Sequence, residues 1–245
     1  MFTNRADAAR QLTDKLKDLH LHDPLVLAIP RGGVITGAVL ARELGADLDV
    51  VLSRKLRAPN QPELAIGAVG EDGEVYLNHG IEAATGVDPA YIEQERQHQI
   101  GEIGRRQKLF RAARPQAAIA GRSVILTDDG IATGSTMIAA LHVVKAQGPH
   151  ETIVAVPVAP PDRLTVIGKL CDQLVCLLAP QEFFAIGQFY MSFDPVEDGE
   201  VVRILREFAP ATGDPAAGVS GVRALEKWRS PLQPIGPKQH GQTKC

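Results

Sequence analysis

Apolar positions recur along this chain in two alternating rhythms. Between residues 4 and 19 they fall at Ala8, Ala9, Leu12, Leu16 and Leu19, the spacing of an amphipathic helix. Leu25 to Ile29 is a short unbroken apolar run, as expected of a strand buried on both faces. Pro30-Arg31-Gly32-Gly33 breaks that run, and Val34 to Leu44 then reads as a helix stopped by Gly45. Leu48 to Leu52 is a second buried strand. From Arg57 to Pro62 the chain turns polar and carries two prolines, which predicts a loop. Leu64 to Val69 and Glu74 to Leu77 fit a hairpin around Glu71-Asp72-Gly73. Asp88 and Pro89 suit the cap and first position of a long helix running to about Arg111.

The alternation then resumes. It predicts strand Ser123 to Leu126, helix Ser135 to Gln147, strand Thr152 to Val158, a helix from Pro161, and strand Gln173 to Leu178. Strands alternating with helices imply crossover units, hence an α/β fold with a mostly parallel sheet and helices on both faces. After Phe208 the composition shifts. Residues 210 to 245 are rich in Pro and Gly, and read as a loosely attached tail with at most one short helix near Val222 to Trp228. The main domain is therefore expected over residues 1 to 209.

Composition narrows the function classes. The chain has 245 residues, 44% hydrophobic and 22% charged, which is ordinary for a globular protein with one sizeable core. A net charge of −3 gives no field that would gather nucleic acid, and nucleic acid is not an expected partner. Cys171, Cys176 and Cys245 make neither a disulfide framework nor a zinc spacing. No apolar run approaches the roughly 18 residues that span a bilayer, and the N-terminus lacks a secretory profile. A cytoplasmic setting without membrane attachment is the expectation.

The chemistry concentrates between Val124 and Met137. An apolar strand delivers Asp128 and Asp129 at its carboxyl end, and Gly130-Ile131-Ala132-Thr133-Gly134-Ser135-Thr136 leads into a helix. Ligands of open α/β sheets bind beyond the carboxyl ends of strands. A helix N-terminus offers unpaired N–H groups and the positive end of the helix dipole to a phosphate. Gly134 lets the backbone approach closely, Thr133, Ser135 and Thr136 bring hydroxyls, and the two carboxylates can accept hydrogen bonds from a vicinal diol. Thr-Gly-Ser-Thr alone is usually a helix cap, and Asp-Asp alone a solvated loop. The string as a whole is neither a Walker A loop nor a dinucleotide fingerprint.

This string closely resembles the signature of type I phosphoribosyltransferases, which bind 5-phosphoribosyl-1-pyrophosphate (PRPP). The resemblance covers roughly residues 5 to 208 and implies a Rossmann-like fold with a small C-terminal hood. It implies that Asp128 and Asp129 hold the ribose hydroxyls and that Ala132, Thr133, Gly134, Ser135 and Thr136 wrap the 5-phosphate. Arg31, Gly32 and Gly33 would form the pyrophosphate loop. Arg54 and Lys55 match a position near the pyrophosphate, and Arg31 and Lys55 would join Asp128 and Asp129 in catalysis. Residues 56 to 66 correspond to a mobile loop, and about 180 to 195 to the hood. Phe183, Phe184, Phe189, Tyr190 and Phe193 cluster in that hood, more for packing than for stacking a base. Mg²⁺ is the implied cofactor, with no protein metal ligand assigned, and a homodimer is what family members often form. Ala132 stands where 6-oxopurine enzymes carry an Asp, which argues against hypoxanthine or guanine as acceptor. Glu63 is a candidate proton handler. The reading is transfer of the phosphoribosyl group from PRPP to an unidentified base or amine, within nucleotide metabolism. A PRPP- or nucleotide-binding regulatory module, and a sugar-phosphate or diphosphate hydrolase on the same site, remain alternatives.

Overall fold

The structure, a computed structural model, describes residues 1–59, 61–77 and 87–210, with the backbone alone at 62–64. Five parallel strands form the main sheet: β1 (Leu25–Ala28), β2 (Asp47–Val50), β6 (Ser123–Thr127), β7 (Glu151–Val158) and β8 (Gln173–Leu178). Their spatial order is β2-β1-β6-β7-β8. The chain therefore steps outward from β1 to β2 in one direction and from β6 to β8 in the other. The change of direction falls between β1 and β6, which lie side by side with Ala28 opposite Thr127. Such a switch point opens a crevice beyond the strand ends, and both glycine-bearing turns named above leave the sheet at this place.

Alternate side chains of each strand feed opposite cores. Val26, Ala28 and Ile125 join one cluster with Leu12, Leu40 and Phe110. Leu25, Leu27, Val124 and Leu126 join the other with Met137, Leu141 and Val144. The unbroken apolar runs thus reflect a sheet covered on both faces. The covering helices include α1 (Arg5–Leu16), α2 (Gly33–Leu44), α3 (Pro89–Ala113), α4 (Ser135–Ala146) and α5 (Pro161–Ile167). Asp88 caps α3 as expected, accepting from the Ala90 N–H at 2.8 Å.

Two sequence expectations need revision. Arg57, Ala58, Gln61 and Pro62 belong to strands and not to an open loop, because strand β3 (Ser53–Ala58) and strand β4 (Gln61–Gly70) pair antiparallel with Ala58 opposite Gln61. Leu56 and Ala58 are buried while Arg54, Lys55 and Arg57 are half-exposed. This is a one-sided strand whose polar face imitated a loop. The expected hairpin does form, between β4 and β5 (Val75–Leu77), but its first strand is longer than the apolar pattern suggested. The second revision is a sixth helix, α6 (Asp198–Glu207), which the apolar pattern had not suggested. Its buried Val201, Ile204 and Leu205 have helical spacing and enter the first core. Residues 211–245, and with them the proposed tail helix, lie outside the described residues.

Candidate phosphate- and ribose-binding site

The site assembles where β1 and β6 end. The backbone is held there by Ile29 N–H donating to the Thr127 carbonyl at 2.9 Å. Thr127 is buried and ties its hydroxyl to the Ala155 carbonyl at 2.7 Å, so the strand end cannot drift. The next residue, Asp128, is half-buried and lies on the wall of a cavity of about 150 Å³. Gly130, Ala132, Thr133, Gly134 and Thr136 complete that wall, with Ile186 from the hood side. Helix α4 opens onto the same space. Gly134 caps it at φ 79°, a left-handed conformation that glycine adopts without strain. The Thr133 and Ser135 hydroxyls lie 3.0 Å apart at the helix mouth. Free N–H groups of a first helical turn, with hydroxyls beside them, suit an anion.

The two glycines of the 30–33 turn are explained by contact with the acidic pair. A Cβ on Gly33 would lie 2.8 Å from the Asp128 Cα, and one on Gly32 would fall onto the Asp129 carboxylate. The two turns therefore touch, backbone against carboxylates. The Pro30–Arg31 peptide bond is cis.

Asp128 and Asp129, both expected from the resemblance to hold ribose hydroxyls, differ in their surroundings. Asp129 is 7% exposed and its Oδ2 accepts from Arg5 Nε at 2.7 Å. Only Asp128 lines the cavity. Its Oδ1 accepts from the Asp129 N–H at 2.8 Å. Burial on its inner side, then the adjacent Asp129 carboxylate, pushes the Asp128 carboxyl well above the usual range.

A second cleft, of about 350 Å³, lies on the other side of Thr136, which lines both. Pro30, Arg54, Lys55, Arg57, Glu102 and Arg106 are on its wall. Arg54 and Lys55 thus share one cleft wall, and Arg54 pairs with Glu102 at 3.1 Å. Arg31 does not line either cleft, and its guanidinium is 3.4 Å from the exposed Glu197 carboxylate. Arg106 reaches the same cleft from α3. Nothing local in the sequence marks it. Within the stretch expected to be a mobile loop, 56–58 and 61–66 lie in β3 and β4, and the Glu63 side chain lies outside the described residues.

The hood carries a 3-10 turn, Ile186–Phe189. Its aromatic rings mostly pack on one another: Phe183 and Phe189 at 5.2 Å, Tyr190 and Phe193 at 4.9 Å. Phe184 is the exception at 88% exposure. Among the described residues, no group of three or more His, Cys, Asp or Glu could cage a metal, and no helix is long and apolar enough to cross a membrane.

A doubly covered parallel sheet, opening at its switch point into a cavity lined by the Asp128 carboxylate and by residues of the α4 mouth, defines an α/β protein with a candidate ligand site at its strand ends. Similarity to known proteins gives that class a family. The phosphoribosyl transferase domain model matches residues 2–193, and the chain belongs to that family. It is 42% identical over 230 residues to "Putative phosphoribosyl transferase Rv0571c" of Mycobacterium tuberculosis (strain ATCC 25618 / H37Rv), covering 92% of this chain and 52% of that protein. The match to "Putative phosphoribosyl transferase MT0597" of strain CDC 1551 / Oshkosh has the same extent. The chain thus spans about half the length of the curated relatives it matches. The solved structure of TT1426 from Thermus thermophilus is similar at 44% identity and a TM-score of 0.82, covering 85% of this chain and 99% of that one.

Proposed function

We propose that this chain transfers the 5-phosphoribosyl group of PRPP to a nitrogenous base or amine, releasing pyrophosphate. The observation that carries this reading is the cavity in which Asp128 faces the mouth of α4. It can hold a 5-phosphate against the 132–136 backbone while Asp128 accepts from the ribose hydroxyls. Asp129 supports the pair from behind.

The diphosphate then falls toward the second cleft. The 32–33 backbone, Arg54 and Lys55 meet the charge that grows on it as the C1–O bond breaks and the acceptor nitrogen bonds to C1. Arg31 joins them by leaving the exposed Glu197, an ion pair of little strength. Positioning and charge neutralisation are the catalytic devices, because the sugar carbon gains positive character and the leaving group negative. The donor set also fits Mg²⁺. Asp128 is an open carboxylate without a surrounding cage, which suits an ion held chiefly by phosphate oxygens and water. When bound, Mg²⁺ would neutralise diphosphate charge. We place the reaction in the cytoplasm.

Pyrophosphate release from PRPP, measured with and without a panel of purines, pyrimidines and small amines, tests the proposal. Release that requires an acceptor supports transfer. Release without one indicates a hydrolase, and binding without turnover a regulatory module.

A further inference from the structure

Four segments of the chain meet at one buried ion pair. Arg5, in the first turn of α1, donates from Nε to Asp129 Oδ2 at 2.7 Å, with both side chains 10% exposed. Its Nη1 donates to the Asp194 carbonyl at 2.8 Å, and the guanidinium lies 3.8 Å above the Phe193 ring. The Tyr190 hydroxyl donates to the Asp129 carbonyl at 2.6 Å. A Cβ on Gly32 would come within 3.2 Å of Arg5 Nε. One guanidinium thus joins the N-terminal helix, the acidic pair, the hood and the 30–33 turn. Backbone bonds secure the residues just before it: Phe2 N–H to the Phe189 carbonyl at 2.8 Å, and Ser192 N–H to the Thr3 carbonyl at 3.0 Å.

A buried ion pair is a poor device for stability alone, since apolar residues of similar volume often serve as well or better. What it adds is fixed geometry, and the planar fork of arginine suits several partners at set angles. The consequence reaches the cavity in one step. Asp129 is held by Arg5, and the Asp129 N–H is what Asp128 Oδ1 accepts.

We infer that Arg5 is a positioning residue: by clamping Asp129 it orients Asp128 for the ribose diol and ties the hood to that orientation. This rests on the assignment of Asp128 as the diol acceptor. Its test is calorimetric titration of the full chain with PRPP and Mg²⁺, alongside melting temperatures, for wild type, Arg5→Lys, Arg5→Met, Asp129→Asn and the double variant Arg5→Met with Asp129→Asn. The expected result is at least a tenfold loss of affinity in folded Arg5→Met, partial recovery in Arg5→Lys, and a double variant no weaker than the weaker single, because both act through one clamp. Folded Arg5→Met that melts lower yet binds as wild type overturns the inference, as do losses that simply add. If Arg5→Met does not fold, Arg5→Lys decides: weaker binding at an unchanged melting temperature supports the clamp, and unchanged binding overturns it. Absence of binding by the wild-type chain would instead remove the diol assignment, and the inference with it.

Discussion

Substituting Gly32→Ala places a methyl group where the site is most crowded. The added Cβ would lie 2.7 Å from the Asp129 Cγ and 3.2 Å from Arg5 Nε. Neither neighbour can yield cheaply, since the carboxylate and guanidinium are bonded to each other and enclosed by Phe193 and Tyr190. The carboxylate must therefore swing away and leave Arg5 buried without its partner. Breaking a buried pair costs about 3–5 kcal/mol. For a domain of this size, ~3 kcal/mol corresponds to a fall of roughly 6–12 °C in melting temperature. Gly101→Ala on α3 is the matched control, because its Cβ meets nothing within 4 Å. Removing a helix-interior glycine should stabilise by about 0.5–1 kcal/mol. Calorimetry and urea unfolding of both variants measure the contrast. Combining Gly32→Ala with Asp129→Ala should cost little beyond Asp129→Ala alone, since the obstruction is gone. A Gly32→Ala protein that melts with wild type would refute the packing of the 30–33 turn against the ion pair.

Other consequences follow from the same structure. Phe110 is fully buried between α3 and the first core, so Phe110→Ala should lower unfolding free energy by about 3–5 kcal/mol in urea titrations. Burial pushes the Cys176 thiol up to about 11. In a Cys171→Ser, Cys245→Ser background it should alkylate with iodoacetamide on the order of a hundredfold more slowly than a free thiol at pH 7.5, and unfolding should abolish the difference. Asp128 is raised by burial and by Asp129, so the folded state holds a proton there that the unfolded state has already lost. That contribution makes the fold less stable as pH climbs from the ordinary carboxylate range through the raised value. Asp128→Asn should therefore melt above wild type at pH 8, with the gap closing toward about pH 4.

Much of the fold was legible because its rules are local. The unbroken runs at Leu25 to Ile29 and Ser123 to Leu126, with helices between, required a parallel sheet covered on both faces, and sequence order put both glycine turns at strand ends. The β3 strand was not legible, since Arg54, Lys55 and Arg57 on its open face gave it the polarity of a loop. Helix α6 was legible in principle from Val201, Ile204 and Leu205. Arg5 could not be found this way: its partner is 124 positions along the chain, and nothing near either residue signals the other. For the same reason the acidic pair read as two equal carboxylates. Burial and a distant guanidinium separate Asp129, held behind the wall, from Asp128, which faces the cavity.

Titration of the wild-type chain and Asp128→Asn with PRPP and Mg²⁺ bears most directly on the account. Saturable binding by wild type, weakened at least tenfold in a variant that melts no lower, is the expected result. Equal affinity in the two proteins, or none in wild type, would contradict a ribose held by Asp128 above the mouth of α4.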